Sequence, residues 1–530
     1  MQPYFGLRGS KLNAAIWALA CFCIMIFGYN QAVAGGVLTS ESFQKQFPQM
    51  DTVDTEGAEK KHNATIQGTV LGIYVLAGVF GSLACTFLGD VWGRRWTIFA
   101  ATATELVGVV LMGSSFAFAQ FIVSRILVGL GTGGVIATTS VWQAELSKPH
   151  SRGSHVSGFG IFCGMGLSLA LWIDFGAHYV QSSFAWRFPF LIQIILSLTV
   201  MTFIFTLPES PRWLVKMGRI DEAKGIFSAT YEVDTDSETV STNIRDIQLS
   251  IEIAQNASLG ALFKMGKQRT LHRVVLAATI QMYLQMTGVN SVTSYASTIF
   301  QENLGYPTTK ADILAASSQI VIILGSIVCS YTVDRFGRRT LMLLSAASMS
   351  TCQIALTALG SQPQNTGCLK ASVFFIYLYY FVYVLGFLGV PFLYASEIAP
   401  VHLRAAVCGI STAVSWLFNF LVVEITPVAF TTIGYRYFVV FAAVNASSIP
   451  VVYFFYPETR GRSLEEIDEI FTKSNSVLEP VKVAKRLPQK HLTEMVQADE
   501  KTGEGVERLE DIGAEEKEKG GSDDGNGSVS

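Results

Sequence analysis

Polar side chains set inside apolar runs are the residues of this chain whose types and spacing can do chemistry. In the run that begins near His272, Gln281, Gln285, Asn290 and Tyr295 interrupt an otherwise apolar stretch. Gln281 and Gln285 are one helical turn apart, and Asn290 follows roughly a turn and a half later, so the amides form one stripe on a helix. Neutral amides, hydroxyls and aromatic rings at mid-membrane depth suit an uncharged solute whose hydroxyls donate and accept and whose ring faces stack. Thr287-Gly288, between Gln285 and Asn290, predicts a loosened helix beside them. The structural alternative is that such polar groups only glue helices together.

The second kind of chemistry is carried by charges that occur twice. Asp90-Val91-Trp92-Gly93-Arg94-Arg95 returns as Asp334-Arg335-Phe336-Gly337-Arg338-Arg339, 244 residues on. Glu145 followed by Arg152 returns as Glu397 followed by Arg404, offset 252, and Pro208-Glu209-Ser210 returns as Pro457-Glu458-Thr459, offset 249. The arginines Arg94, Arg95, Arg152, Arg338, Arg339 and Arg404 can pair with Asp90, Glu145, Glu209, Asp334, Glu397 and Glu458. They form a charged ring at the inner mouth whose contacts bias one state against another. Gly93 and Gly337 permit the tight turns. The alternative is that these are topogenic charges and helix caps.

The elements that must position these groups are apolar runs of about 20 residues, enough to cross a hydrocarbon core as helix. Twelve begin near Asn13, Ile66, Trp96, Phe116, Ser154, Arg187, His272, Ile313, Thr340, Ala371, Arg404 and Tyr437. A fold of twelve membrane helices in two pseudo-symmetric six-helix bundles follows from the doubled motifs, an arrangement suited to opening one side at a time. The predicted division is a cytoplasmic N-terminus over 1–12, a six-helix bundle over 13–207, and a linker with short helices over 208–271. A second bundle over 272–471 and a disordered acidic tail over 472–530 complete it. Within the linker, Asp221–Ala223 and Ile247–Ala254 read as amphipathic helices.

Composition agrees. Of 530 residues, half are hydrophobic and only 15% charged, below the roughly 25% of soluble domains, and the net charge of −3 offers nothing to nucleic acid. Lys and Arg concentrate in alternate loops, which places those loops, the linker and both termini inside. The long first loop, Thr39–Asn63, then lies outside and exposes the sequon Asn63-Ala64-Thr65, making Asn63 the expected glycan acceptor. The eight cysteines lack metal spacing and read as small core residues. The seven histidines show no metal pairing, and no Ser, His and Asp constellation appears, so no enzyme, cofactor or metal is expected. Gly129, Gly131 and Gly133 sit inside a span and read as close helix packing rather than a phosphate loop.

Together with Pro208-Glu209-Ser210-Pro211-Arg212 and Pro457-Glu458-Thr459-Arg460-Gly461, the doubled motifs resemble the sugar porter family of the major facilitator superfamily, over nearly all of 4–471. Tyr4-Phe5-Gly6-Leu7-Arg8-Gly9, Trp172-Ile173-Asp174-Phe175-Gly176, Trp186-Arg187-Phe188-Pro189 and the stretch from Asn419 to Pro427 resemble its fungal branch, which includes glycerol-proton symporters and related sugar permeases. By that resemblance the seventh span is the sugar-contacting helix, with Gln285 and Asn290 in its Gln and Asn positions and Trp416 and Asn419 as partners on the eleventh. Several family positions differ: Gly160 stands where a Gln is usual, Leu284 for the first paired Gln, and Ile322 for an Asn. Phe392 replaces a Trp and Ser415 an Asn. These changes imply a less polar cavity than a glucose site, suited to a smaller polyol, a pentose or a less hydroxylated metabolite.

The resemblance also locates coupling. Proton-coupled members have Phe-Gly-Tyr-Asp in the first span, its Asp paired with an Arg of the fourth. Here the motif is Phe27-Gly28-Tyr29-Asn30 while Arg125 is kept. An amide carries no proton, which implies facilitated diffusion. Arg125 without a carboxylate is costly in a membrane, and Glu105, an intramembrane acid at similar depth, is the expected partner and the alternative proton carrier. Asp174 and Glu424 are weaker candidates. The reading is a plasma-membrane carrier, monomeric as a functional unit, for a small neutral polyhydroxylated solute. Its alternatives are a proton symporter using Glu105, a carrier or exporter of a non-sugar metabolite, and a nutrient sensor.

Overall fold

A computed structural model describes residues 3–147, 152–180, 182–255, 259–362, 364–400, 403–462 and 464–487. Among them every regular element is helical. In the first half the spans are span 1 (Gly9–Val37), span 2 (Gly57–Trp92), span 3 (Arg94–Gly113), span 4 (Phe118–Leu146), span 5 (Arg152–His178) and span 6 (Phe184–Phe203). Span 7 is broken into Thr270–Met286 and Val289–Ser294. Span 8 (Thr308–Phe336) and span 9 (Arg338–Gly360) follow; span 10 runs from Thr366 to Ile398 through a π-helical turn at Val384–Leu388. Span 11 (Arg404–Ile433) and span 12 (Tyr437–Phe455) close the bundle.

Ten helical stretches are long and apolar enough to cross a membrane. Spans 11 and 12 count as one of them, Ala406–Phe455, and span 7 is absent because its longest unbroken piece is 17 residues. Twelve crossings therefore stand, as the apolar runs predict. Large apolar side chains such as Phe87 and Tyr331, 74% and 78% exposed, face outward from the spans. Lipid rather than water is the solvent that tolerates such a surface.

Small residues bring the helices together. A Cβ on Gly133 would lie 2.2 Å from the Gly78 carbonyl oxygen, and one on Gly129 would lie 2.1 Å from that of Tyr74, so spans 2 and 4 meet backbone to backbone. Without a hydrophobic drive between helices in lipid, such approach and its dispersion contacts hold them. Six of the eight cysteines are buried and all are free, in keeping with core packing.

Three boundaries differ from expectation. Span 2 begins at Gly57 rather than near Ile66, because its first turns are polar yet rich in helix formers, Ala58, Glu59, Lys60 and Lys61, which an apolar-run reading passes over. The linker helices are longer than expected: Pro211–Lys216, Ile220–Tyr231 and Glu238–Gln255. The chain also continues in order past 471, with helix Leu464–Thr472 bound to span 7 by the Arg273–Asp468 ion pair and with Glu479–Arg486 beyond it. The rest of the tail, 488–530, lies outside the described residues.

Candidate functional site

Span 7 breaks where its polar stripe is densest. Gly288 has φ 94°, a conformation open to glycine, and a Cβ there would lie 2.6 Å from the Phe441 ring. The break turns the Asn290 amide back toward Gln285. Asn290 Nδ2 donates to Gln285 Oε1 and, at 2.8 Å, to Asn419 Oδ1 of span 11; Gln285 Nε2 donates to Ser415 Oγ at 2.7 Å. Gln285 and Asn290 are half-buried, whereas Asn419 and Ser415 are buried. Trp416 sits edge-on to Phe27 of span 1, ring centroids 6.0 Å apart, and packs on Gly78 of span 2. Amides of the second half and an indole touching the first half thus occupy one region.

Among the described residues no hydrogen bond joins the remaining predicted contacts to this cluster. Tyr295 is buried with its hydroxyl given to the Val423 carbonyl at 3.2 Å. Gln281 is fully buried and its amide has no partner among the described residues. Phe392 stacks obliquely near Phe159 of span 5, centroids 5.8 Å apart. The family departures have a packing reason. A Cβ on Gly160 would lie 2.5 Å from Ser326 Oγ, and Ile322 packs on Gly164, so spans 5 and 8 touch where polar side chains would otherwise stand. Ser415, which stands where the family has an Asn, is itself a hydrogen-bond partner of Gln285.

The expected pair of Glu105 with Arg125 is not formed. Glu105 Oε1 accepts from Asn30 Nδ2 at 2.6 Å, and the same amide also donates to Thr132 Oγ1 at 3.0 Å. Glu105 Oε2 is buried without a partner among the described residues. Arg125, 2% exposed, lies over the Tyr74 ring at 4.6 Å, a cation–π contact in place of an ion pair. Depth along two helices puts both residues at one level but does not fix their azimuth. Asn30 reaches Glu105 and Arg125 does not.

At the inner ends the doubled motifs fold into two matching clusters. Arg94 grips Glu145 through Nε and Nη2 at 3.0 and 3.1 Å and Asp90 through Nη1 at 3.0 Å. Arg338 bonds Glu397 and Asp334, each at 3.0 Å. Glu209 and Glu458 make a contact that the predicted pairing with arginine side chains does not include. They accept the backbone N–H groups of Arg94 and Arg95, and of Arg338 and Arg339, at 2.9 to 3.1 Å. Each is an acidic cap at a helix N-terminus, where orphan donors and the helix dipole favour a carboxylate. Gly93 and Gly337, φ 88° and 89°, leave room for it: a Cβ would lie 2.7 and 2.6 Å from the capping oxygen.

The second arginine of each pair binds a carbonyl instead of an acid: Arg95 that of Phe205 at 3.0 Å, Arg339 that of Tyr453 at 2.7 Å. Trp142 Nε1 and Tyr394 hydroxyl likewise reach the Pro208 and Pro457 carbonyls, at 3.0 and 2.9 Å. Sequence reasoning missed this second symmetric pair, although the offset of 252 that relates Glu145 to Glu397 also relates Trp142 to Tyr394. Arg404 opens span 11; the side chain of Arg152 lies outside the described residues. Each of these Arg–carboxylate pairs stays within one half. Asn63 corrects the glycan expectation: it is 4% exposed, and its amide donates to the Pro48 and Asp51 carbonyls at 3.2 and 2.8 Å. The acceptor nitrogen is used to hold the first loop down.

Comparison with known proteins agrees with this architecture. The family model "Sugar (and other) transporter" matches residues 16–471. The chain is 33% identical over 499 residues to sugar transporter STL1 of Saccharomyces cerevisiae, covering 93% of this chain and 87% of that protein. It is 34% identical over 503 residues to MFS-type transporter oryC of Aspergillus oryzae, covering 93% and 92%. The fold resembles that of the proton:xylose symporter XylE bound to 6-bromo-6-deoxy-D-glucose, with a TM-score of 0.73 at 22% identity, covering 87% of this chain and all of that one. The chain is a multi-pass membrane protein that belongs to the sugar transporter family of the major facilitator superfamily, and it is a transporter rather than an enzyme.

Proposed function

We propose that the protein is a facilitative plasma-membrane carrier for a small neutral polyhydroxylated solute, a monosaccharide or polyol, with both termini cytoplasmic. It works as a monomer by alternating access between its two six-span halves. The observation that carries this reading is the half-exposed cluster of Gln285 and Asn290 backed by Asn419 and Ser415, formed where span 7 breaks. Partly exposed amides exchange partners readily with hydroxyls of equal polarity. The closed contact of spans 5 and 8 at Gly160 supports a narrower, less polar site than a hexose would fill with hydrogen bonds. The inner clusters tie spans 2, 3 and 4 to the segment after span 6, and spans 8, 9 and 10 to the segment after span 12, so each half moves as one body.

Facilitated transport is supported by Asn30, whose amide holds no exchangeable charge, and by Arg125, which meets a ring rather than a carboxylate. Uptake of labelled pentoses, hexoses and polyols into cells without native carriers tests the substrate class: surface-expressed protein that moves none of them defeats it. Uptake is expected to be unchanged by a protonophore, and Glu105→Gln is expected to keep uptake within about twofold, since its amide preserves a hydrogen bond with Asn30. A second reading, proton symport through Glu105, is favoured by the buried and unpartnered Oε2. Acid-stimulated uptake that disappears in Glu105→Gln establishes it in place of the first.

A further inference from the structure

Toward the outer ends of the halves, two acids share a crevice with His178 and, among the described residues, no Lys or Arg. Asp174, in the last turns of span 5, is 8% exposed, and neither of its carboxylate oxygens has a partner among the described residues. Asp312, in the first turns of span 8, is 7% exposed with Ser297 nearby, and its Oδ1 has no partner among the described residues. Both line a small outer crevice with Gly36, Ser40 and His178. Span 1 closes over it at Gly36, where a Cβ would lie 2.1 Å from Asp174 Oδ2. A little further along, a Cβ on Gly35 would lie 2.2 Å from the Ser294 carbonyl oxygen of span 7. The outer ends of the two halves are therefore in contact around these acids.

The titratable groups facing the pair are few. His178, one turn on from Asp174, faces Asp312, and Tyr29 of span 1 faces Asp174 with its hydroxyl donated to the Pro189 carbonyl at 2.7 Å. Span 6 contributes Ala185, and among the described residues no Lys or Arg lines the crevice. Two ionised carboxylates held dry and unpaired repel one another and lack solvation; a proton held at the pair relieves both. When the outer ends part, water solvates the acids, and carboxyls in water ionise near pH 4.

We propose that Asp174 and Asp312 form a proton site that locks the outer ends of the two halves together, and that the outer gate opens as this proton returns to the outside. The proposal rests on the alternating-access reading. Its sign follows from linkage: the closed gate binds more protons than the open one, so external acid favours closure and slows entry. Because the proton leaves to the side it came from, none is carried across with solute, which separates this lock from coupling at Glu105.

Two readouts on the full-length protein in proteoliposomes test it. Initial uptake is expected to fall at least about threefold as external pH drops from about 7 to about 5, and Asp312→Asn is expected to flatten that profile while Asp312→Glu keeps it. Independently of any solute, an impermeant thiol reagent is expected to reach Ser40→Cys, in a Cys368→Ser background, more slowly in acid, with labelling normalised to the unfolded protein at each pH. That dependence too is lost with Asp312→Asn. Asp174→Asn serves if Asp312→Asn does not fold. A pH dependence unchanged by the Asn variants overturns the proposal, as does one that follows external sodium instead of protons. Absence of solute movement together with pH-dependent, Asp312-dependent labelling refutes the transport reading and upholds the lock.

Discussion

Asn290→Leu lowers solute uptake, expressed as kcat/KM, by about 100-fold or more at unchanged surface expression. Two effects add. The leucine removes the donors that hold Gln285 Oε1 and Asn419 Oδ1, leaving two acceptors in a largely buried setting, each at about 1–3 kcal/mol. It also removes a group offered to the solute. A tenfold rate change corresponds to about 1.4 kcal/mol, so loss of the solute contact and misplacement of Gln285 together exceed two decades. Asn419→Leu is expected to act in the same direction but less strongly, because Asn419 is buried behind Asn290. Gln281→Leu is expected to change uptake little: its amide is sealed within the helix packing. Initial-rate uptake over a range of solute concentrations checks all three, and an Asn290→Leu protein with near-normal kcat/KM refutes the assignment.

Arg94→Ala and Arg338→Ala are expected to destabilise the protein strongly and by similar amounts, about 3–5 kcal/mol each, the penalty for leaving a buried acid without its partner. The side chains of Arg94 and Glu145 are both 11% exposed, and those of Arg338 and Glu397 are 11% and 17% exposed, so water replaces little of what is lost. Arg335→Ala, on the exposed end of the same motif, is expected to be nearly silent, as surface charges are. Glu145→Gln is milder than Arg94→Ala, since the amide oxygen still accepts from the guanidinium. Thermal unfolding in detergent, read by loss of monodisperse protein, separates these classes. Equal stability of Arg94→Ala and wild type contradicts a rigid inner cluster.

Much of this was legible in the sequence because it was written twice. The matched positions of Asp90 and Asp334, Arg94 and Arg338, and Glu145 and Glu397 announce both the duplication and the pairs that form. The break at Gly288 was legible because a Thr-Gly pair within a polar stripe weakens a helix. What stayed hidden depends on partners that composition does not display. Glu209 and Glu458 look like mates for arginine side chains, yet they also cap backbone N–H groups, which are present at every residue and visible in none. Glu105 and Arg125 share a depth but not a direction. The sequon at Asn63 reads as exposed loop, whereas the helix of span 2 starts before it and turns the amide inward. Tyr295 carries the right chemistry for a solute but spends its hydroxyl on the Val423 carbonyl.

The central claim is that two rigid halves rock about a pocket walled by Gln285, Asn290 and Trp416. Spin labels at Glu41 and Lys310 report the outer ends, and labels at Met217, in the linker just after span 6, and at Arg335 the inner ends, all exposed positions. In lipid, with and without a transported solute, the two distance distributions are predicted to shift in opposite senses, one pair closing as the other opens. Distances that stay fixed, or that lengthen together at both ends, contradict the account.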